Sequence, residues 1–137
     1  MGEKILVVED NPQNMRLIEM TLGAEKYVLL KATSGEEALD MVKREQPDLI
    51  IMDIQLPGMS GLEVVKELRE APSFSRTPII GLTAYAMKGD REKVLEAGCN
   101  MYLSKPISTR ELPGIISGLL RQQSNGGGGA CQEGAGN

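Results

Sequence analysis

The chain has 137 residues, which is enough for one globular domain with a full hydrophobic core and too few for a second domain of ordinary size. Its hydrophobic content of 41% argues against wholesale disorder, and its net charge of -4 disfavours direct binding of nucleic acid through its phosphates. The chain contains no histidine, and this absence excludes histidine metal ligands, histidine acid-base catalysis and a phosphohistidine on this chain.

The first residues lead into an apolar strand with no long apolar segment and no cleavage signal, so we expect no secretion. No apolar run approaches the length that spans a membrane. We therefore expect a cytoplasmic protein that does not insert into membranes. The two cysteines, Cys99 and Cys131, have neither metal-ligand nor disulfide spacing.

In chain order, short apolar runs alternate with segments of helical periodicity. The runs predict strands near residues 4–9, 27–32, 48–53, 78–83 and 100–104. Repetition of strand followed by helix is typical of parallel sheets. The pattern therefore predicts an α/β, doubly wound fold with a five-stranded parallel sheet and five helices.

Local signals place the helix ends. Three segments have the spacing of a capping box, and they are Ser34-Gly35-Glu36-Glu37, Ser60-Gly61-Leu62-Glu63 and Ser108-Thr109-Arg110-Glu111. Asn11-Pro12 opens the first helix, and Pro47 stops the second. Gly23 and Gly98 stand where a helix favours a left-handed residue after its last turn.

The last helix has one apolar face interrupted by Pro113, Gly114 and Gly118, so we expect low intrinsic stability and an irregular start or a shifted boundary. The domain is expected to span residues 1–123. Residues 124–137 are rich in glycine and show no periodicity, which predicts a disordered tail.

Acidic residues follow two of the buried strands. Glu9 and Asp10 end the first strand, and Asp53 ends the third. In an open parallel sheet the carboxyl ends of the strands form the ligand-binding edge, and the fourth and fifth strands deliver Thr83 and Lys105 to the same edge. Gathered carboxylates repel one another unless a cation is present, so the arrangement predicts a divalent metal beside a reactive carboxylate.

From Lys4 to about Arg121 the chain resembles the receiver domains of two-component response regulators. Four motifs in order carry the resemblance: Val8-Glu9-Asp10-Asn11, Met52-Asp53-Ile54-Gln55-Leu56-Pro57-Gly58-Met59-Ser60-Gly61, Leu82-Thr83-Ala84 and Leu103-Ser104-Lys105-Pro106. The resemblance implies the flavodoxin-like strand order 2-1-3-4-5.

The resemblance also implies that Asp53 is the phosphoacceptor, because a carboxylate can attack phosphorus to form a mixed anhydride. Asp10 and Glu9 would hold Mg²⁺ (or Mn²⁺), with Glu9 acting through water, and the backbone carbonyl of Gln55 would complete the ligands. Simple capping of the first helix is the competing interpretation of Asp10, and the two roles are compatible.

Other site residues are implied in the same way. Lys105 would pair with Asp53 at rest and with a phosphoryl oxygen afterwards, and a cis peptide before Pro106 would direct it inward. Thr83 would move toward the phosphoryl group and donate its hydroxyl to it. The Tyr102 ring would then turn into the space that Thr83 had vacated. Ala84 would leave room for the phosphoryl group, and Tyr85 would partly cover the site. The alternatives are that Thr83 is an ordinary strand residue and that Tyr102 is an amphipathic residue at the sheet edge.

The implied partners are a histidine kinase or histidine phosphotransfer protein as donor, and a downstream protein bound through the surface of the fourth helix, fifth strand and fifth helix. We expect no catalysis beyond the chain's own aspartyl phosphorylation and dephosphorylation. A receiver-like docking module that works without phosphorylation is the main alternative, and the chain could also be the receiver fragment of a hybrid kinase.

Two enzyme or cofactor classes fit less well. A haloacid-dehalogenase-like phosphatase also uses an aspartate nucleophile and magnesium, but it would have a second acid where Gln55 stands. A flavodoxin-like flavin protein would hold phosphate in the first loop, where Glu9 and Asp10 would repel it.

Overall fold

The computed structural model describes residues 3–23, 27–56, 58, 60–83, 90–105 and 107–124. The predictions made for Ala84, Tyr85, Pro106 and most of the glycine-rich segment lie outside these ranges. The elements are β1 Lys4–Val8, α1 Pro12–Gly23, β2 Val28–Ala32, α2 Gly35–Glu45, β3 Leu49–Asp53, α3 Gly61–Glu70, a 3₁₀ turn Pro72–Phe74, β4 Ile79–Thr83, α4 Asp90–Ala97, β5 Met101–Ser104 and α5 Leu112–Ser124.

All strand pairs are parallel, and the order is β2-β1-β3-β4-β5. This order and the five helices confirm the predicted doubly wound α/β fold. No helix in the described ranges is long and apolar enough to cross a membrane.

The central strands are buried on both faces, because their alternate side chains feed two separate cores. Leu6, Ile50 and Met52 face one core, which α2, α3 and α4 cover. Val7 and Ile51 face the other, which α1 and α5 cover. Burial on both sides explains why these strands read as continuous apolar runs.

The predicted capping boxes are only partly correct. At Ser60 both halves form, since Ser60 N donates to Glu63 Oε1 at 2.9 Å and Leu62 N donates to Ser60 Oγ at 3.1 Å. At Ser34 the hydroxyl caps Glu37 N, but the Glu37 carboxylate accepts from Thr33 N and Oγ instead of Ser34 N. The two donors of Thr33 explain that difference.

The start of α5 is shifted, as its proline led us to expect. A turn occupies residues 109–111 and the helix begins at Leu112. Ser108 Oγ accepts from Glu111 N at 3.3 Å. Within the described ranges, the Glu111 carboxylate does not accept the reciprocal bond from Ser108 N. Because Glu111 lies before the helix, it does not occupy the third helical position that a capping box requires.

The prediction that a left-handed residue follows the helix is confirmed at Gly98 and wrong at Gly23. Gly98 has φ of 125°, whereas Gly23 is the last residue of α1 and has no positive φ. The second helix uses a residue that the sequence did not suggest, because Gln46 adopts φ of 51° and its N–H returns to Val42 O at 3.0 Å. Pro47 follows it and prevents continuation of the helix.

Arg69, in the last turn of α3, ties that helix to the connection between α4 and β5. Its guanidinium donates to Gly98 O at 2.8 Å, Phe74 O at 2.9 Å and Asn100 Oδ1 at 2.8 Å. Burial lowers the pKa of Arg69. Asn100 Oδ1 also accepts from Ile79 N at 2.9 Å, so one polar network joins α3, the start of β4 and the start of β5.

Candidate functional site

Three carboxylates meet at the carboxyl ends of the two central strands. Val8 pairs with Met52 in the β1–β3 ladder, so the next residues, Glu9 and Asp53, are neighbours at the sheet edge. Glu9 and Asp53 are each only 1% exposed, whereas Asp10 is exposed. One oxygen atom from each of the three acids lies within 4.8 Å of the others. The structure therefore brings together the acidic cluster that the sequence predicted.

Backbone donors orient two of these carboxylates. Gln55 N donates to Asp53 Oδ1 at 2.9 Å, and Asn11 N donates to Glu9 Oε2 at 3.2 Å. The Asn11 side chain in turn caps α1 by accepting from the first-turn N–H groups of Gln13 and Asn14. The loops after β1 and β3 thus hold the acids in place while leaving Asp53 Oδ2 available to another partner.

Lys105 is that partner, and it contacts both buried acids. Its Nζ lies 3.1 Å from Asp53 Oδ2 and 3.0 Å from Glu9 Oε1. The Lys105 side chain is 14% exposed, and its backbone N–H bonds to Thr83 O at 2.8 Å, extending the β4–β5 ladder toward the site. The predicted pair with Asp53 is present, but sequence reasoning missed Glu9, because its closeness to Lys105 depends on how β1 and β5 are spaced across the sheet.

Burial and charge shift the pKa values of this cluster. Burial raises the pKa of Glu9, and the charge of Asp53 raises it further, while Lys105 opposes both. Burial alone would lower the pKa of Lys105, but the Glu9 and Asp53 carboxylates together outweigh it and raise that pKa. One ammonium does not balance three carboxylates, so the cluster attracts further positive charge.

The donor set fits a divalent cation of the oxygen-seeking kind. All three side chains offer carboxylate oxygens, and the carbonyl of Gln55 follows two residues after Asp53. Oε1 of Glu9 is buried and lies at ion-pair distance from Lys105, yet no donor in the described ranges is aligned with it for a hydrogen bond. An under-satisfied buried oxygen at this place favours an additional ligand such as water or a hydrated metal.

The remaining predicted residues lie along the same edge. Thr83 ends β4, is 2% exposed and pairs in the ladder with Ser104. Tyr102 is partly exposed and packs against the core that α4 covers, directly across from Gly81. Since Gly81 and Thr83 are two residues apart, Thr83 and Tyr102 share one face of the sheet.

A cleft of about 430 Å³ opens beside the acidic cluster. It lies between the start of α1 and the loop after β2, and its lining includes Asp10, Met15, Arg16 and Thr33. The cleft gives an incoming group access to Asp10 and Glu9 from the α1 side.

Comparisons with known proteins agree with this architecture. The family model described as response regulator receiver domain matches residues 5–117. The polar-differentiation response regulator DivK of Brucella ovis is 47% identical over 120 residues, covering 88% of this chain and 98% of that protein.

Two solved structures show the same fold. The receiver domain of sensor histidine kinase PA1611 from Pseudomonas aeruginosa PAO1, with a magnesium ion coordinated in its active-site cleft, is 40% identical with a TM-score of 0.82, and the match covers 88% of this chain and 99% of that one. A putative response regulator from Chloroflexus aurantiacus J-10-fl is 33% identical with a TM-score of 0.85 and the same coverage. The chain belongs to the family of response regulator receiver domains, the signalling modules of phosphorylation-based two-component systems.

Proposed function

We propose that Asp53 accepts a phosphoryl group and that the resulting charge changes a protein-binding surface on the α4, β5 and α5 side. The observation that carries the proposal is the position of Lys105, which reaches two buried carboxylates at about 3 Å from the end of β5. A largely buried lysine beside a buried aspartate provides a fixed positive charge where a phosphoryl group would add negative charge.

The donor is proposed to be a phosphohistidine on a histidine kinase or histidine phosphotransfer protein. A carboxylate oxygen of Asp53 forms a bond to phosphorus while the phosphorus–nitrogen bond of the donor breaks. The imidazole leaves with the electron pair and takes up a proton, and the product on this chain is an acyl phosphate. Hydrolysis of the acyl phosphate then ends the signal. Water attacks phosphorus, the acyl oxygen–phosphorus bond breaks, and inorganic phosphate and the Asp53 carboxylate are released.

Asp10, Asp53 and the Gln55 carbonyl are proposed to hold Mg²⁺, with Glu9 acting through water and with Mn²⁺ as a substitute. A bound divalent ion would neutralise the oxygens of the transferring phosphoryl group. The magnesium described for the PA1611 receiver domain supports this assignment. The exposure of Asp10 leaves that carboxylate open to a hydrated ion from solvent.

Lys105 is proposed to exchange its contact with Asp53 for a phosphoryl oxygen, and Thr83 is proposed to donate its hydroxyl to the same group. The shared face of Thr83 and Tyr102 supports a link from the site to the partner surface, because movement of Thr83 toward the phosphoryl group would change the space available to the Tyr102 ring. The access roles of Ala84 and Tyr85, and the cis peptide before Pro106, remain predictions.

Intact-protein mass measurement tests the proposal. The protein is incubated with MgCl₂ and a small acyl phosphate, and we expect the mass to rise by one phosphoryl group. Asp53→Asn should abolish the increase, and a chelator should do the same. Asp40→Asn is the matched control, because Asp40 is an exposed aspartate on α2 that pairs only with Arg44 within the described ranges.

A mass that stays unchanged in the unmodified chain would refute the phosphoacceptor role. It would favour the alternative of a receiver-like docking module that works without phosphorylation. Donor specificity is then tested separately, by transfer from purified histidine kinases or phosphotransfer proteins.

A further inference from the structure

The first residue of α3 packs directly against the backbone of the proposed phosphoacceptor. Gly61 N donates to Ile54 O at 3.1 Å, and Gly61 is buried. A Cβ atom added to Gly61 would lie 2.3 Å from Asp53 O and 2.8 Å from Ile54 Cα. Both of those atoms belong to the backbone, so no side-chain rotation could relieve the contact.

Nothing else at this position requires glycine. Gly61 has no positive φ and begins a helix, where alanine has the higher intrinsic propensity. The absence of a side chain is therefore needed only for the close approach of α3 to the end of β3.

The helix is also held against the sheet, so it cannot recede freely from the end of β3. The capping box between Ser60 and Glu63 fixes its first turn. Val64, Val65 and Leu68 anchor the following turns in the core, with exposures of 3% or less. A larger residue at position 61 would therefore displace the segment from Asp53 to Gln55, which carries two of the proposed metal ligands.

We propose that Gly61 is a positioning residue, whose contact with the Asp53 backbone sets the spacing of the divalent-cation ligands. The inference rests on the proposed function for the identity of the ion. It differs from that function because it concerns a residue that supplies no ligand.

Three glycine variants separate positioning from general destabilisation. Gly61→Ala introduces the contact with the Asp53 backbone. Gly81→Ala also introduces a close contact, but only with side-chain atoms, which can move: Val94 Cγ1 at 2.6 Å, Cys99 Sγ at 3.2 Å and Ile54 Cδ1 at 3.3 Å. Gly118→Ala places its methyl group in open space on α5.

Mg²⁺ affinity is measured by calorimetry at a temperature where circular dichroism shows every variant folded, and stability is measured by urea unfolding. We expect both Gly61→Ala and Gly81→Ala to lose stability. Only Gly61→Ala should lose Mg²⁺ affinity. The loss should be about tenfold, at the lower end of the range seen for residues that orient metal ligands. Unchanged affinity in Gly61→Ala, or an equal loss in Gly81→Ala, would overturn the inference.

A pair of capping variants serves if Gly61→Ala does not fold. Ser60→Ala loosens the first turn of α3 without adding an atom at the contact, and Ser34→Ala does the same for α2. Ser60→Ala should weaken Mg²⁺ binding while Ser34→Ala should not, and equal affinities in the two variants would refute the positioning role.

The metal-free protein gives a readout that is independent of the proposed function. In Gly61→Ala the amide resonances of Asp53, Ile54 and Gln55 should shift more than those of β4. If the unmodified chain binds no Mg²⁺, the proposed metal site fails, while these shifts still decide whether Gly61 sets the position of the segment.

Discussion

The end of the central strands and the edge strand β5 are packed very differently. Every residue of β3 is buried, whereas Met101, Tyr102 and Leu103 of β5 are only partly buried and Ser104 is exposed. Lys105 connects these regions, because its backbone follows the partly exposed strand β5 and its ammonium group contacts both Glu9 and Asp53. The contrast places the proposed chemistry where packing holds geometry constant, and the proposed response where side chains have room to move.

Truncation in the two regions should have the largest and most unequal effects. Ile51→Ala removes a fully buried side chain and should lower the free energy of unfolding by about 4 kcal/mol, whereas the partly exposed Leu103→Ala should cost about 1 kcal/mol. Urea unfolding measures both. Similar losses for the two variants would remove the basis of the comparison.

Removing the cation of the site should be the next largest effect. Lys105→Met leaves the buried Glu9 and Asp53 without their ammonium and should cost about 3 kcal/mol at neutral pH. The matched control is Lys4→Met at the other end of the sheet, where the lysine side chain is 43% exposed beside Glu45, and the loss there should be at most about 1 kcal/mol. A Lys105→Met variant as stable as the control would show that the buried cluster does not depend on this pair.

The raised pKa of Glu9 predicts how stability changes with pH. Burial raises this pKa above 4.5, so in the window that begins at 4.5 and ends at the raised value the folded protein binds more protons than the unfolded chain. That excess makes the contribution of Glu9 to stability decline as pH rises through the window. In Glu9→Gln this decline should be absent.

Urea midpoints of Glu9→Gln and the unmodified chain, measured across that window, isolate the contribution of Glu9. Lys105 acts in a different range, because its contribution is fully present below 10.5 and is lost only as pH rises through its raised pKa. Parallel pH profiles for Glu9→Gln and the unmodified chain would contradict the prediction.

The smallest effect concerns the thiol under α4. Burial raises the pKa of Cys99 to about 12, and the residue is 6% exposed. In a Cys131→Ser background, iodoacetamide should label it far more slowly at neutral pH than it labels the unfolded chain. A labelling rate above the global unfolding rate would show that the α4–β5 side opens locally, which would sharpen the contrast with the central strands. Labelling as fast as in urea would refute burial of the thiol.

Much of this protein follows from local patterns in the chain. Apolar runs of strand length, helix caps and the acids that end β1 and β3 reflect backbone periodicity and turn chemistry, which neighbouring residues determine. They were sufficient to predict the parallel sheet and the edge where Glu9, Asp10 and Asp53 meet.

Other features depend on distances between elements that are remote along the chain. The contact of Lys105 with Glu9 and the close approach of Gly61 to Asp53 arise only when helices and strands pack at particular separations. A pattern of residue types carries no such distances, so only the tertiary structure determined these contacts.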